Sequence, residues 1–273
     1  MSAIINYNVI FMENQGMNRA VIFSPKKLVR VSIIAAVLNF VCIYNVPSEA
    51  LAQADPFSID RNRMVANDLI ARDISDPAVL KAMGKVRRHL FVDKSLWNEA
   101  YADYPLPIGD GQTISQPYIV ALMTQSLKLK KEDKVLEVGT GSGYQAAILA
   151  EIVQQVYSVE IVKTLAEKAQ RLLPSLGYRN VKIKTGDGYR GWEEFAPFDA
   201  IIITCAVSHI PTPLVHQLRE GGRIVLPLGD SSFFAQRLVL GTKRGGKIEL
   251  QHVTGVRFVP MVGESEKKSS GRE

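Results

Sequence analysis

Past residue 54, apolar residues first recur every three to four positions, and beyond residue 134 they gather into short runs separated by helical stretches. Between residues 59 and 74, Met64, Val65, Leu69 and Ile70 fall on one face of a helix. Ser75-Asp76-Pro77 then reads as a second helix start, with proline in the first turn. Val79, Leu80, Met83 and Val86 form the buried face of that helix. Tyr104 to Gly111 is rich in proline and glycine and reads as an ordered loop. It leads into Gln112-Thr113-Ile114-Ser115-Gln116-Pro117, and a helix is expected over 117–127.

The period then changes. Residues 135–138, 156–160, 181–185 and 199–204 form apolar β runs, with helical patterns over 144–152 and 163–173 between them. A fifth strand is expected over 223–227. Two more, 237–242 and 247–253, flank the turn signal Lys243-Arg244-Gly245-Gly246. This order predicts an α/β fold: a Rossmann-like sheet, mostly parallel, with helices on both faces and an antiparallel hairpin at its C-terminal end. A helical segment, 55–127, precedes the core, 128–263, and the polar stretch 264–273 is expected to be disordered.

Residues 1–54 carry a different pattern. Lys26, Lys27 and Arg30 precede an apolar run over 31–46 that is broken by Asn39 and Asn45, and Ala-x-Ala ends the segment at Ala54. The run falls short of the roughly 20 residues a spanning helix needs. A basic region, a short apolar region and a small-residue ending are the signs of a secretory signal peptide, so a mature protein beginning near Asp55 outside the cytoplasm is expected. Met17 is an alternative start, and an uncleaved anchor is the competing reading and the one route to a membrane.

Composition narrows the chemistry. The 33 Lys and Arg exceed the 27 Asp and Glu by six, a mild excess spread along the chain, which gives no nucleic-acid footprint. Cys42 and Cys205 have no metal-ligand spacing, and cleavage after Ala54 would leave Cys205 alone. No metal is expected.

The main chemical signal is Val135-Leu136-Glu137-Val138-Gly139-Thr140-Gly141-Ser142-Gly143-Tyr144. A strand runs into alternate glycines and then a helix, where the backbone turns sharply and a ligand can approach the main chain. Glu160, seventeen residues beyond Gly143, ends the second strand, where a carboxylate can accept ribose hydroxyls. Gly186-Asp187-Gly188 follows the third strand, placing Asp187 for an adenine amino group beside Gly188. A dinucleotide fingerprint would want glycine where Tyr144 stands, and a pyrophosphate would be repelled by Glu137. S-adenosyl-L-methionine, which has no phosphate and carries a sulfonium cation, fits Glu137, Glu160 and Asp187 better. A structural glycine turn remains the plain alternative.

Several elements together resemble the protein-L-isoaspartate O-methyltransferase family over 60–263. They are 76–83 (Asp-Pro-Ala-Val-Leu-Lys-Ala-Met), Arg88-His89-Leu90-Phe91-Val92, Thr113-Ile114-Ser115-Gln116-Pro117-Tyr118, the glycine loop, Leu218-Arg219-Glu220-Gly221-Gly222-Arg223 and Val256-Arg257-Phe258-Val259-Pro260. The resemblance implies a class I methyltransferase that uses S-adenosyl-L-methionine as methyl donor. The acceptor it implies is the free carboxylate of L-isoaspartyl residues in damaged proteins. It implies Ser115 as the active-site serine, with Thr113, Ile114 and Gln116 around the substrate, and cytoplasmic residence as the family default; a monomer is expected. A carboxylate is already ionised at neutral pH, so positioning is needed and a general base is not. By position alone, Ser115 reads as the N-cap of the following helix.

His209 stands where relatives tend to have an acidic residue, and it is expected at the surface or a rim; Cys205 is expected as a buried apolar residue. Two other classes compete: a binding protein for S-adenosyl ligands without turnover, and a nucleic-acid methyltransferase. The latter's Asn/Asp-Pro-Pro-Tyr/Phe element does not follow the fourth strand.

Overall fold

A computed structural model describes residues 55–229 and 236–263. The inferred leader with Cys42 and the inferred disordered tail, 264–273, lie outside the described residues.

Helix α1 (Ser58–Arg63) runs straight into a π-helical stretch, Met64–Ile70. A π-turn repeats every five residues rather than every four. Met64 and Leu69 are therefore buried together, while Ile70 is 55% exposed. This corrects the single α-helical face read from the sequence, in which Ile70 pointed inward. Helix α2 (Pro77–Lys85) begins as expected, with the Asp76 carboxylate accepting from the backbone N–H of Ala78 and Val79. Val79, Met83 and Val86 are buried, with Leu80 packed against them.

The proline- and glycine-rich loop is instead a β-hairpin, β1 (Leu106–Gly109) against β2 (Gln112–Ile114). Gly109, Asp110 and Gly111 all have positive φ (93°, 52° and 70°), the backbone hand that tight hairpins require. Prolines hide the strand in the sequence, but they are tolerated in a two-stranded ribbon, which has free edges. Leu106 and Ile114, partners across the ribbon, are both buried. Helix α3 (Pro117–Ser126) follows directly.

The core is a seven-stranded sheet of order β5-β4-β3-β6-β7-β8-β9. In chain order it comprises β3 (Lys134–Val138), α4 (Tyr144–Ala150), β4 (Gln155–Glu160), α5 (Lys163–Ser175), β5 (Val181–Thr185), β6 (Phe198–Ile203), α6 (Thr212–Gln217) and β7 (Leu218–Leu228). β8 (Arg237–Arg244) and β9 (Lys247–Gly255) complete it. β3 to β7 pair in parallel, and β8 and β9 run antiparallel to their neighbours. Gly245 and Gly246, at φ 56° and 77°, make the tight turn between β8 and β9. Val135, Leu136, Val138 and Ile201 to Ile203 are almost fully buried, as strands covered on both faces must be. The chain leaves β3 for β4 on one side and later returns to β6 on the other. A crevice opens at the carboxyl ends of the strands where the order reverses, and ligands in open α/β sheets bind there.

Candidate active site

The crevice is built around the turn from β3 into α4. Gly139, Gly141 and Gly143 have φ of 95°, 52° and 88°, a conformation that side chains strain to adopt. A Cβ at Gly139 would collide with Thr204 Oγ1, which donates to the carbonyl of Gly139 at 2.6 Å. A Cβ at Gly188 would collide with Val138 Cγ1. Glycine at these places brings three loops together and leaves a cleft between them.

At the end of β4, Glu160 Oε2 accepts from Gly141 N–H at 2.7 Å and Oε1 accepts from Val162 N–H at 2.9 Å. A carboxylate has about four lone-pair positions, so each oxygen keeps one for a ligand hydroxyl. Glu160 lines the cleft with Gly139, Thr140, Gly141, Ser142 and Gly188. That wall suits the nucleoside and amino-acid ends of S-adenosyl-L-methionine. It exposes main chain and an anionic acceptor, and a phosphate would meet Glu160 as a like charge.

Three of the expected donor residues stand back from the cleft wall. Gly143 is buried at the N-cap of α4, against Leu173 and Ala169. Asp187 accepts from Tyr189 N–H at 2.9 Å and caps the short turn Gly188–Arg190. Glu137 is completely buried beneath the glycine loop. Its Oε2 accepts from Ser158 Oγ at 2.5 Å, and Ser158 Oγ lies 2.5 Å from Thr140 Oγ1. Burial pushes its carboxyl up to about 8, against the lowering effect of the Ser158 hydrogen bond and aided by the like charge of Glu160.

Other residues reach the cleft without having been singled out in the sequence. Ile161 and Val162 follow Glu160, and Met261 follows Val259-Pro260; apolar neighbours of an acidic strand end are the one local signal for them. Cys205 also lines the cleft and is partly exposed, which corrects its reading as a buried apolar residue. Desolvation first, then the negative charges of Glu160 and Asp187, push its thiol up to about 12.

The hairpin supplies the other wall. β2 delivers Thr113, Ile114 and Ser115 to the same cleft, and Ile108 of β1 packs toward Gly141. Ser115 also borders an adjoining groove with Thr113, Gln116, Phe258 and Val259. It therefore sits where the two spaces meet. Ser115 does not cap α3: Gln116 holds the cap position, and Asp103 Oδ1 accepts from Tyr118 N–H at 2.9 Å. Asp103 Oδ2 accepts from Gln116 Nε2 at 2.7 Å and pairs with Arg72 at 3.1 Å. Asp103 so fixes the Ser115 segment from outside, and among the described residues the Ser115 hydroxyl has no hydrogen bond. His209 lies half-buried, edge-on to Tyr189 at 6.0 Å and bonded to Ser208, away from both spaces.

The family model for protein-L-isoaspartate(D-aspartate) O-methyltransferase (PCMT) matches residues 60–266. The chain is 56% identical over 209 residues to protein-L-isoaspartate O-methyltransferase 2 of Shewanella sediminis, covering 77% of this chain and 85% of that one. It is 54% identical over 212 residues to the Picosynechococcus protein-L-isoaspartate O-methyltransferase, covering 78% and 94%. Among solved structures, a protein-L-isoaspartate O-methyltransferase superposes with a TM-score of 0.70 at 32% identity, over 75% of this chain and 67% of that one. One from Plasmodium falciparum, in complex with S-adenosyl-L-homocysteine, superposes at 0.65 and 28% identity, over 74% and 98%. With a family match spanning most of its length and relatives more than half identical, this chain belongs to the protein-L-isoaspartate O-methyltransferase family.

Proposed function

We infer that the protein transfers the methyl group of S-adenosyl-L-methionine to the free carboxylate of L-isoaspartyl residues in damaged proteins, the step that initiates their repair. The observation that carries this reading is the place of Ser115, a free hydroxyl at the junction of the glycine-loop cleft and the neighbouring groove. The donor supplies an electrophilic methyl on a sulfonium. A carboxylate oxygen gains that methyl as the carbon–sulfur bond breaks, leaving a methyl ester and S-adenosyl-L-homocysteine, with no proton to move.

The protein's task is therefore geometric. Ser115 can donate to one carboxylate oxygen and leave the other to attack, while Thr113, Ile114 and Gln116 confine the acceptor backbone. Aspartyl and isoaspartyl carboxylates are equally nucleophilic, so selectivity has to come from how the groove takes the main chain.

A peptide containing L-isoaspartate is expected to accept labelled methyl, and the same peptide with aspartate is not; equal rates would contradict the reading. Ser115→Ala should lower turnover about tenfold to a hundredfold, the loss expected of one hydrogen bond to a charged group, with donor affinity kept. Glu160→Ala should weaken S-adenosyl-L-methionine binding by about 1.5–3 kcal/mol on the same ground, and calorimetric titration with an unchanged affinity would remove Glu160 from the site.

The basic, apolar and small-residue pattern over 26–54 supports export, giving a periplasmic enzyme that begins near Asp55. N-terminal sequencing of protein from the exported fraction should start there. An intact leader on cytosolic protein would reverse the assignment.

A further inference from the structure

A chain of two short hydrogen bonds runs from a sealed carboxyl group to the wall of the donor cleft. Glu137 on β3 pairs in register with Ser158 on β4, and both are fully buried. Ser158 Oγ reaches Glu137 Oε2 on one side and Thr140 Oγ1 on the other, each at 2.5 Å. Glu137 Oε1 has no hydrogen-bond partner among the described residues. Thr140 is 3% exposed, and what remains of it faces the cleft. We propose that Glu137, acting through Ser158, is a positioning residue that sets whether Thr140 offers the cleft a hydrogen-bond acceptor or a donor, and so how well the site tells the sulfonium substrate from its neutral product. This rests on the cleft being the S-adenosyl site.

An ionised Glu137 can only accept, so Ser158 donates to it and Thr140 donates to Ser158. Thr140 then turns lone pairs alone toward the cleft. If Oε2 carries a proton, the order can reverse: Glu137 donates to Ser158, Ser158 donates to Thr140, and the Thr140 hydrogen points into the cleft. The ionised form also places a negative charge beneath the glycine loop in a medium that screens it weakly. Both effects favour a cation, so the ionised state should prefer S-adenosyl-L-methionine over S-adenosyl-L-homocysteine.

The surroundings of Glu137 leave this proton free to come and go near neutral pH. Desolvation raises its carboxyl to about 8, and Glu160 on β4 adds to that. On β6 the nearest register partner is Ile202; Asp199 lies at the far end of that strand, engaged with Lys134 N–H and Arg219. Past the end of β6 stands Cys205, whose thiol is held neutral. From the helices, Tyr144 and the Gln145–Thr124 pair are neutral. Arg88, over the Tyr144 ring at 4.8 Å, is the buried cation on that side.

The test is titration of the full-length protein with S-adenosyl-L-methionine and with S-adenosyl-L-homocysteine at about pH 6.5 and about pH 9.5, on either side of the carboxyl's midpoint. The ratio of the two dissociation constants, product over substrate, should rise about fivefold with pH in the wild type, the order expected when a nearby carboxylate gains a charge that is only weakly screened from the sulfonium. The ligands' amino groups titrate in the same range, so the reading is the difference between wild type and Glu137→Gln, which cannot ionise. In Glu137→Gln the rise attributable to the protein should vanish, and Ser158→Ala and Thr140→Val should each reduce it. Thr140→Ser, which keeps the hydroxyl, should restore it. A merely structural role would lower melting temperature in these variants and leave the pH dependence of the ratio as in the wild type; that result would overturn the proposal. Failure of the wild type to bind either ligand would instead overturn the assignment of the cleft, and the proposal with it.

Discussion

The chain has to pass from the end of β3 into α4 within a few residues while three loops close on the same point, and this turn fixes where everything else at the site can be. Left-handed glycines at 139, 141 and 143 make the passage possible. Thr204 from the loop after β6 and Glu160 from the end of β4 pin it from either side, through the Gly139 carbonyl and the Gly141 N–H. The ligand wall is thus mostly main chain held by side chains from neighbouring strands, a preorganised surface that costs little to order when a ligand arrives.

The hairpin β1–β2 couples that turn to the acceptor side. Its tip is tied to the first turn of α5 by Thr164 Oγ1 donating to Asp110 Oδ2 at 2.8 Å, and its inner face covers the glycine loop through Ile108. Ser115 comes immediately after this ribbon, before Asp103 and Pro117 start the next helix. The placement of Ser115 and the cover over the glycine loop are therefore properties of one short segment. Such an arrangement suits a reaction whose barrier is met by alignment and removal of water rather than by proton transfer.

The parallel core was legible because strands buried on both faces must be continuously apolar, and β3 to β6 were read to within a residue of their observed ends. Glu160 and the glycines were legible because strand-end chemistry is local. The hairpin was not: Pro105 and Pro107 mask a ribbon whose stability comes from burying Leu106 and Ile114 against the rest of the domain. The true cap of α3 was invisible for a related reason, since Asp103 reaches Tyr118 from fifteen residues upstream. Glu137 looked like a ligand contact from its place beside the glycines. Strand alternation instead turns it under the loop, where Ser158 on the next strand receives it, and only the register of β3 against β4 reveals that.

Glycine loop and hairpin line a single cleft, so a donor bound there would be covered by the same segment that presents Ser115. Amide hydrogen exchange with and without S-adenosyl-L-homocysteine measures this directly. Slowed exchange is expected in 139–144 and in 106–115 together. Protection confined to 139–144, with the hairpin exchanging as it does without ligand, would contradict it.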